Sequence, residues 1–520
     1  METLFEKLLN YYSLSKEDFD ELNKNPEDIK LIDPNSILGM DKVKNRILKA
    51  IKNKEKIIVY GDYDCDGIVA TSIMVKTFQK LNYPVSYYVP CRYIDGYGSN
   101  IENIKKIASN GFNLLILVDN GISANEEIEL ANSLNLDVII IDHHEPGETL
   151  PNAVGIIHPF VSKISSISGS AGYMSLFVSA ALLGEYDHYL VTLAGVSTVS
   201  DMMELKEYNR DVVKIAISNL RKYRYKQLIS LCDSDVISEK TFSLELAPKI
   251  NAVGRLIKNK NINLLVKYLT SEEENYQILD WINSVNESRK MMTKEISESL
   301  QVDVKDKPCL VIKSNILEGL IGLVANRLMN QYNLTTIVFT PNENDESLLK
   351  GSIRTKEGFN VVKAFASLEK YIQGGGGHAQ AGGLTIKASD FDDFKAEFEK
   401  LCILYPIKEV EKKHIEISLK DITMENYDLI RKFAPFGVGF PEPLFRINNL
   451  PTKSLRFVGM NSNTLSTELS LSSKLLGFNM KKDEVQSHSF IDIFGSFNLN
   501  VSSRFGTSLE YRISEFKPSK

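Results

Sequence analysis

A dense group of alternating acidic residues opens the part of the chain that could do chemistry. Asp62, Asp64 and Asp66 lie in the segment DYDCDG, which follows an apolar run and precedes an apolar helical pattern. Alternate side chains of an extended segment can share one side, and Gly67 permits a tight turn. Oxygen ligands at this density favour Mg²⁺ or Mn²⁺. An acidic turn with helix caps is the alternative, and a calcium loop is disfavoured because no Glu occupies its twelfth position.

Further candidate ligands follow other apolar segments of the same region. They are Asp119, the run Asp142-His143-His144, and Asp201 after the apolar segment 190–199. An imidazole among carboxylates shifts the preference from Mg²⁺ towards Mn²⁺. The alternatives are a hydrogen-bonded core histidine for the pair and a helix cap for Asp201.

The elements that must position these residues are three short runs of β-branched residues and leucine. The runs 57–60, 114–118 and 138–141 suit strands of a parallel sheet that are buried on both faces. Each run ends in an acidic residue, and the ligand crevice of an open α/β sheet lies beyond the carboxyl ends of its strands. Two ions about 3.5–4 Å apart could then act on a phosphodiester, with Asp119 as the candidate bridging carboxylate.

Anion-binding candidates lie outside this acidic group. The tract 374–383, GGGGHAQAGG, could leave backbone N–H groups free for a phosphate, with Gly376, Gly377 and His378 at its centre. Arginines next to glycines could bind phosphate bidentately, and they are Arg92, Arg255 and Arg354. A flexible linker is the alternative for the glycine tract, and surface ion pairs are the alternative for the arginines.

Composition sets the broad class of protein. The 520 residues exceed one hydrophobic core, and 43% hydrophobic with 25% charged residues is typical of a globular protein. Five scattered cysteines, with no signal-like N-terminus and no long apolar run, predict a cytoplasmic protein that does not enter membranes. The net charge of −6 gives no basic footprint for nucleic acid, although a carboxylate-rich centre lowers that sum.

Changes of pattern along the chain predict five regions. They are an N-terminal helical segment at 1–40, a parallel α/β domain at 41–260, a connector helix at 261–303, a smaller α/β domain at 304–405, and a β-barrel domain at 406–520. The expected fold class is therefore α/β, with a C-terminal β domain.

The ordered motifs resemble a known family. DYDCDG, LVDNG, IDHH and VSDMM resemble the DHH phosphoesterase superfamily, and GGGGHAQAGG resembles its DHHA1 domain. The segments NAVGRL, EGLIGLVANRL, KGSIR and PFGVGFPEPLF are similar to the RecJ-type single-strand-specific exonucleases, whose C-terminal domain is an OB fold that binds nucleic acid. One departure is Phe440, where that family usually has Asn, and another is the serine-rich segment 161–173.

The resemblance implies roles for individual residues. Asp62 and Asp64 would hold one metal ion, Asp66, His143 and Asp201 the other, and Asp119 would bridge them. His144 would face the scissile phosphate, while Asp142 would orient the neighbouring histidine. Substrate phosphates, including a 5′-terminal one, would be held by Arg255, Arg354 and His378, with Arg92, Gly376 and Gly377 also in the substrate site.

The resemblance also implies an activity, a 5′→3′ exonuclease on single-stranded DNA that uses two Mn²⁺ or Mg²⁺ ions and releases 5′-mononucleotides in repair and recombination. A phosphodiesterase for short oligonucleotides or cyclic dinucleotides is the first alternative, and a non-catalytic scaffold is the second. Single-stranded DNA is the expected partner, and a RecQ-type helicase and a single-strand-binding protein are candidate protein partners.

Overall fold

The computed structural model describes residues 2–165, 167–300, 302, 304–408, 411–459, 462–470, 472–502 and 506–519. They form two compact units, each built from separate stretches of the chain. One unit comprises residues 45–156 and 247–411, and the other comprises residues 1–44, 157–246 and 412–520. Among the described residues, no helix combines the length and apolar character that a membrane crossing needs.

A five-stranded sheet forms the first part of the unit that contains residues 45–156. Its strands are β1 Ile57–Tyr60, β2 Ser86–Tyr88, β3 Leu114–Val118, β4 Asp137–Ile141 and β5 Gly155–Ile157, in the order β2-β1-β3-β4-β5. The pairs β1/β2, β1/β3 and β3/β4 are parallel. Every residue of β1 and β3 is buried, so the continuous apolar runs predict these strands correctly. The helices of this part are Met40–Asn53, Cys65–Lys80, Ile101–Ser109 and Asn125–Ser133.

A second five-stranded sheet forms the other part of this unit. Its strands are β6 Cys309–Lys313, β7 Thr335–Pro341, β8 Leu348–Arg354, β9 Ile372–His378 and β10 Ala381–Lys387, in the order β6-β7-β8-β10-β9. In this sheet, β6 and β7 form a parallel pair. The pairs β7/β8, β8/β10 and β9/β10 are antiparallel. Its helices are Glu318–Tyr332, Val361–Ser367 and Phe391–Leu404.

The region 261–303 contains two α-helices where one connector helix was expected. They span Asn263–Thr270 and Tyr276–Ser299. The break has a local cause, because the Asn275 side chain accepts a hydrogen bond from the backbone N–H of Ile278 and so begins the second helix. The helix Ala247–Leu256 precedes this region.

The other unit combines helices with a seven-stranded sheet. Its α-helices are Leu4–Tyr12, Lys16–Leu22, Ala171–Leu183, His188–Ser200, Glu207–Tyr223, Lys226–Ile229, Glu239–Thr241, Met424–Arg431 and Lys482–Gln486. The strands are β11 Ile415–Glu416, β12 Phe445–Pro451, β13 Phe457–Val458, β14 Thr464–Ser470, β15 Ser473–Gly477, β16 Phe490–Ser502 and β17 Gly506–Pro518. The expected fold class, with a parallel-sheet domain, a smaller α/β domain and a C-terminal β domain, is confirmed. The five predicted domain boundaries stay predictions.

Phe440, the departure from the family pattern, is partly buried against the core of this second unit. Its ring stacks on Tyr12 with centroids 4.2 Å apart, and the Arg210 guanidinium lies 4.4 Å from its centroid. Arg210 also donates to the carbonyls of Phe433 and Pro435. The larger ring is therefore accommodated by stacking on an N-terminal aromatic residue.

A buried ion pair also stabilises this unit. Glu239, 3% exposed, accepts two hydrogen bonds of 2.8 Å from the guanidinium of Arg431. Burial alone would raise the pKa of Glu239, but the hydrogen bonds and charge of Arg431 lower it. A lowered pKa in the folded state contributes stability above the ordinary value near 4.5 and loses it as the pH falls.

Arg431→Met is expected to lower the unfolding free energy of this unit by about 3 kcal/mol at pH 7, because it leaves a buried carboxylate without its partner. The difference in unfolding free energy between the variant and wild type should become smaller as the pH falls from 7 to 5. In the variant, Glu239 has lost its ion-pair partner and takes up a proton over this range. Scanning calorimetry at both pH values measures this. The double variant Arg431→Met/Glu239→Leu should recover most of the loss, and equal losses in the single and double variants would contradict the assignment.

Candidate metal centre

The acidic motif begins where β1 ends. Gly61 and Gly67 allow the helix Cys65–Lys80 to lie close to this turn, because a Cβ at Gly67 would be 2.6 Å from the backbone of Asp62. Asp64 caps the helix by accepting from the backbone N–H of Gly67 at 3.1 Å. The same motif therefore begins the helix and fixes the directions of its carboxylates.

A second helix holds the motif from the other side. In Ala247–Leu256, the Asn251 side chain accepts from the backbone N–H of Cys65 at 2.9 Å. Gly254 lies against Tyr63 so closely that a Cβ would be 2.2 Å from the Tyr63 carbonyl oxygen. The segment NAVGRL thus has a structural role in positioning the acidic motif, in addition to carrying Arg255.

Asp119 follows β3 with left-handed backbone geometry, at φ +62°. Its neighbour Asn120 holds this turn, because the Asn120 side-chain amide donates to the carbonyls of Val118 at 2.8 Å and Gly61 at 3.2 Å. These bonds tie the ends of β1 and β3 together. The carboxylate of Asp119 is consequently placed beside the acidic motif.

The structure brings the predicted ligands of this unit into two overlapping groups. Carboxylate oxygens of Asp62, Asp64 and Asp119 lie within 4.8 Å of one another, as do ligand atoms of Asp119, Asp142, His143 and His144. His143 Nε2 is 3.2 Å from Asp119 Oδ1 and 3.6 Å from Asp66 Oδ2. Asp119 is the member that the two groups share.

Asp142 orients this histidine pair. Its Oδ1 accepts from the backbone N–H of His143 at 2.7 Å and lies 2.8 Å from His144 Nδ1, while its Oδ2 accepts from the backbone N–H of Ile122 at 2.9 Å. Burial alone would raise the pKa of Asp142, but the hydrogen bond with His144 and the histidine charges lower it. Asp142 therefore stays a carboxylate, and it holds the ring of His144.

The residues present fit a divalent cation. Asp62 is 2% exposed, and its Oδ1 has no hydrogen-bond partner in the part of the chain that the structure describes. Burial and the charge of Asp64 raise the pKa of Asp62 to about 8. A buried oxygen of this kind is costly unless a proton or a cation satisfies it. Carboxylate oxygens with one imidazole nitrogen form the donor set that Mn²⁺ and Mg²⁺ accept.

A cationic cavity of about 480 Å³ lies in the same unit. Its charged lining residues are Arg92, Arg255, Lys350, Arg354 and Glu318. Burial and the positive charges of Arg92 and Arg354 lower the pKa of Arg255 to about 10, so Arg255 remains charged at neutral pH. The Arg92 guanidinium lies 4.1 Å from the centroid of the Tyr63 ring, which connects the cavity to the acidic motif. The three predicted arginines thus converge on one cavity.

Two glycines of the helix Glu318–Tyr332 allow Arg255 and Arg354 to lie close to this helix. A Cβ at Gly319 would be 2.1 Å from the Arg255 carbonyl oxygen, and a Cβ at Gly322 would be 2.9 Å from Arg354 Nη2. These glycines, together with Glu318 and Lys350, are site residues that the sequence reasoning missed. Their three-residue spacing in EGLIGLVANRL was the available signal, because it places both glycines on one helix face.

The glycine tract differs from the expected cradle of free N–H groups. It forms the antiparallel strands β9 and β10, and β10 is hydrogen-bonded to strands on both sides. The glycines permit this close pairing, since a Cβ at Gly377 would be 2.4 Å from the Ala381 carbonyl oxygen. The cavity is lined by Gly374, Gly375 and Gly383 of this hairpin, whereas Gly376, Gly377 and His378 lie exposed further along β9. A substrate role for these three residues stays a prediction.

Asp201 lies in the other compact unit. It is the C-cap residue of the helix His188–Ser200, and its backbone N–H donates to the Ser197 carbonyl at 3.0 Å. Its assignment as a metal ligand stays a prediction.

Comparisons with known proteins match three family domains to this chain. The DHH family N-terminal domain matches residues 56–223, the DHHA1 domain matches residues 306–403, and the RecJ OB domain matches residues 414–507. The single-stranded-DNA-specific exonuclease RecJ of Bacillus subtilis is 32% identical in an alignment 503 residues long that covers 91% of this chain and 63% of that protein. RecJ of Haemophilus influenzae is 28% identical over 84% of this chain and 82% of its own length.

A solved structure shows the same fold. The crystal structure of RecJ from Thermus thermophilus in complex with Mn²⁺ superposes with a TM-score of 0.83 and 21% identity, covering 99% of this chain and 76% of that one. The three family domains occur here in one chain in this order. The chain therefore contains a DHH domain, a DHHA1 domain and a RecJ OB domain, and it is similar to the RecJ-type exonucleases over most of its length.

Proposed function

We propose that this protein is a 5′→3′ exonuclease that hydrolyses single-stranded DNA to 5′-mononucleotides with two divalent metal ions, Mn²⁺ or Mg²⁺. The observation that carries the proposal is the position of Asp119, which belongs to two overlapping groups of ligand atoms in the unit that also holds the cationic cavity. The named activity of the RecJ relatives supports the choice of substrate, and the chain covers less than two thirds of the Bacillus subtilis protein.

The proposed ligand assignment is supported by the group of Asp62, Asp64 and Asp119 and by the 3.6 Å distance between His143 Nε2 and Asp66 Oδ2. Asp62 and Asp64 would hold one ion, and Asp119 would bridge to a second ion held by Asp66 and His143, with Asp201 as a further proposed ligand. When bound, such a pair of ions activates water and stabilises both oxygens of an in-line displacement at phosphorus.

His144 is proposed to act on the scissile phosphate. Its ring lies between Asp142, 2.8 Å from Nδ1, and the Tyr97 hydroxyl, 3.0 Å from Nε2. About two fifths of the His144 side chain is exposed, at 43%, whereas His143 is 8% exposed. The buried histidine therefore suits a metal ion, and the exposed histidine suits a substrate oxygen.

The cationic cavity is proposed to bind the terminal phosphate of the strand. Three arginines and one lysine surround a volume that accommodates one nucleotide-sized group, and guanidinium groups bind phosphate oxygens bidentately. Because the strand would be held by its 5′ phosphate, hydrolysis would proceed from that end.

The C-terminal sheet favours a long strand over a small substrate. A phosphodiesterase for dinucleotides needs only the unit that carries the acidic residues and the cavity, whereas the OB domain offers a path for additional nucleotides. Aromatic and basic residues suggested for that path include Arg456, Phe478 and Arg512, while Arg504 and Phe505 lie outside the described residues. A scaffold role is disfavoured because the proposed ligands of one unit are assembled.

Protein partners and location belong to the same proposal. An exonuclease specific for unpaired strands needs ends that another protein has opened or kept open, so a RecQ-type helicase and a single-strand-binding protein are proposed suppliers of substrate. The five cysteines form no disulfide among the described residues, which suits a reducing cytoplasm.

End-labelled DNA tests substrate and direction together. A long single strand labelled at its 5′ end should release labelled mononucleotide first in Mn²⁺, and chelation by EDTA should stop release. Duplex DNA should resist digestion. Release of 3′ label first, or turnover of a dinucleotide without turnover of the long strand, would contradict the proposal.

Asp119→Asn should reduce hydrolysis about a thousandfold, which equals about 4 kcal/mol, because a neutral amide bridges two cations poorly. Circular dichroism should show an unchanged fold, and titration calorimetry should show weaker Mn²⁺ binding. Asp393→Asn, on an exposed helix face, is the matched control and should behave as wild type. Full activity in Asp119→Asn would refute the bridging role.

Arg255→Lys should raise KM about tenfold on 5′-phosphorylated single strands, because lysine keeps the charge but loses the planar pair of donors. The kcat should change less, and strands with a 5′ hydroxyl should show little difference between the variant and wild type. Lys267→Arg, the reverse exchange on an exposed position, serves as control. An equal rise in KM for both kinds of 5′ end would exclude recognition of the terminal phosphate.

A further inference from the structure

A basic and aromatic surface lies at the end of the helix Glu207–Tyr223, in the unit that lacks the cationic cavity. The sequence Arg221-Lys222-Tyr223-Arg224-Tyr225-Lys226 places four cations and two tyrosines within six residues of a chain whose net charge is −6. The Tyr223 patch is defined as the exposed residues His188, Tyr223, Arg224 and Lys226. None of these residues has a place in the activity proposed above.

The simplest explanation of such cations is structural, and it accounts for two of the four. Cations stabilise the carbonyl end of a helix. Arg221 donates to the Ile237 carbonyl from Nε at 2.9 Å and from Nη2 at 2.5 Å, and Lys222 forms an ion pair with Glu27 at 2.8 Å. These two side chains are therefore used by the fold itself.

Arg224 and Lys226 are different. Neither side chain makes a hydrogen bond or an ion pair with any residue that the structure describes. Arg224 is also the C-cap residue with φ 45° and ψ 52°, the left-handed position at which glycine commonly ends a helix. A residue with a Cβ is strained there, and the guanidinium obtains no compensating contact within the described fold. The two cations are thus available to an external anion.

Aromatic rings stand beside these two cations. The Tyr223 ring, 41% exposed, stacks on His188 with centroids 5.0 Å apart and an interplanar angle of 30°. Tyr225 lies 5.7 Å from Tyr223 and is braced edge-on by Tyr189 at 4.8 Å. This packing holds the partly exposed Tyr223 ring in place, and the Lys222 ammonium lies 5.5 Å from its centroid. A fixed, exposed ring next to free cations offers stacking and charge together.

We propose that the Tyr223 patch is a contact site for single-stranded nucleic acid, in addition to the catalytic site. An unpaired base would stack on Tyr223, and Arg224 and Lys226 would bind the flanking phosphates. This combination suits a single strand because every base has a π-face, whereas bases in a duplex are already stacked. The proposal rests on the proposed function only for the choice of polymer, and it concerns affinity for long strands.

Binding without catalysis tests the patch. Fluorescence anisotropy in EDTA measures the affinity of the full chain for a labelled 40-nucleotide single strand over a range of salt concentrations. Tyr223→Ala should weaken binding about fivefold or more, as expected for loss of one stacking ring. Arg224→Gly/Lys226→Ala should lower the slope of log affinity against log salt by about 1.4, since each phosphate contact contributes about 0.7.

The controls separate this site from the fold and from catalysis. Arg224→Gly suits the left-handed backbone, so the melting temperature of that variant should not fall. Tyr276→Ala removes a tyrosine of the other unit that is more exposed than Tyr223, at 64%, and should leave affinity unchanged. With Mn²⁺ present, hydrolysis of a dinucleotide should be the same in the patch variants as in wild type.

The outcomes decide the proposal independently of the exonuclease assignment. Unchanged affinity and salt slope in the patch variants would overturn it, as would an equal loss in Tyr276→Ala. A loss of dinucleotide hydrolysis in the patch variants would also overturn it, because the patch would then act through the catalytic unit. If the wild-type chain hydrolyses no DNA yet the patch variants bind the long strand less tightly, the exonuclease proposal fails and the patch proposal stands.

Discussion

Mutual repulsion of buried carboxylates is the constraint on which the structure of the candidate site depends. Asp62, Asp66 and Asp119 are each 2% exposed, and the parallel sheet brings them to one edge. Like charges at such separations in a poorly hydrated place oppose folding unless a proton or a cation neutralises them. The raised pKa of Asp62 expresses that cost. A pair of divalent cations would relieve this repulsion and would also supply the chemistry. The same carboxylates therefore need bound cations both for stability and for the proposed function.

Glycine residues allow the charged segments of the site to pack closely against neighbouring backbone. At Gly67, Gly254 and Gly319 an added Cβ would lie within 2.6 Å of backbone atoms of another segment. Each close approach fixes a charged segment, since Gly67 and Gly254 flank the acidic motif and Gly319 abuts Arg255. Backbone held this tightly cannot relax away from its charges, which is the form of preorganisation that electrostatic catalysis requires.

The sequence predicted the strands and acidic residues of the site better than it predicted the segments that pack around the site. Strands β1, β3 and β4 follow from continuous apolar runs, and the rule that ligands gather at carboxyl ends of parallel strands brought Asp62, Asp119 and Asp142 together. The contributions of Gly319 and Lys350 could not be read in the same way. They depend on packing between segments that are far apart in sequence. The three-residue spacing of Gly319 and Gly322 marks one helix face, but it does not specify which segment packs on that face. For the same reason the glycine tract was expected to be open, although its pairing with β8 turned it into strands.

The packing of Phe440 shows how a local change of residue is accommodated within one unit. Where the family usually has a short polar side chain, this chain has a ring that stacks on Tyr12 and lies under Arg210. Arg210 simultaneously binds the carbonyls of Phe433 and Pro435, so the segment is anchored by its backbone as well as by its ring. The N-terminal helix thus supplies packing that the larger residue needs. The ring of Phe440 thus belongs to the packing of its own unit, whereas Asp62, Asp119 and the cationic cavity belong to the other unit.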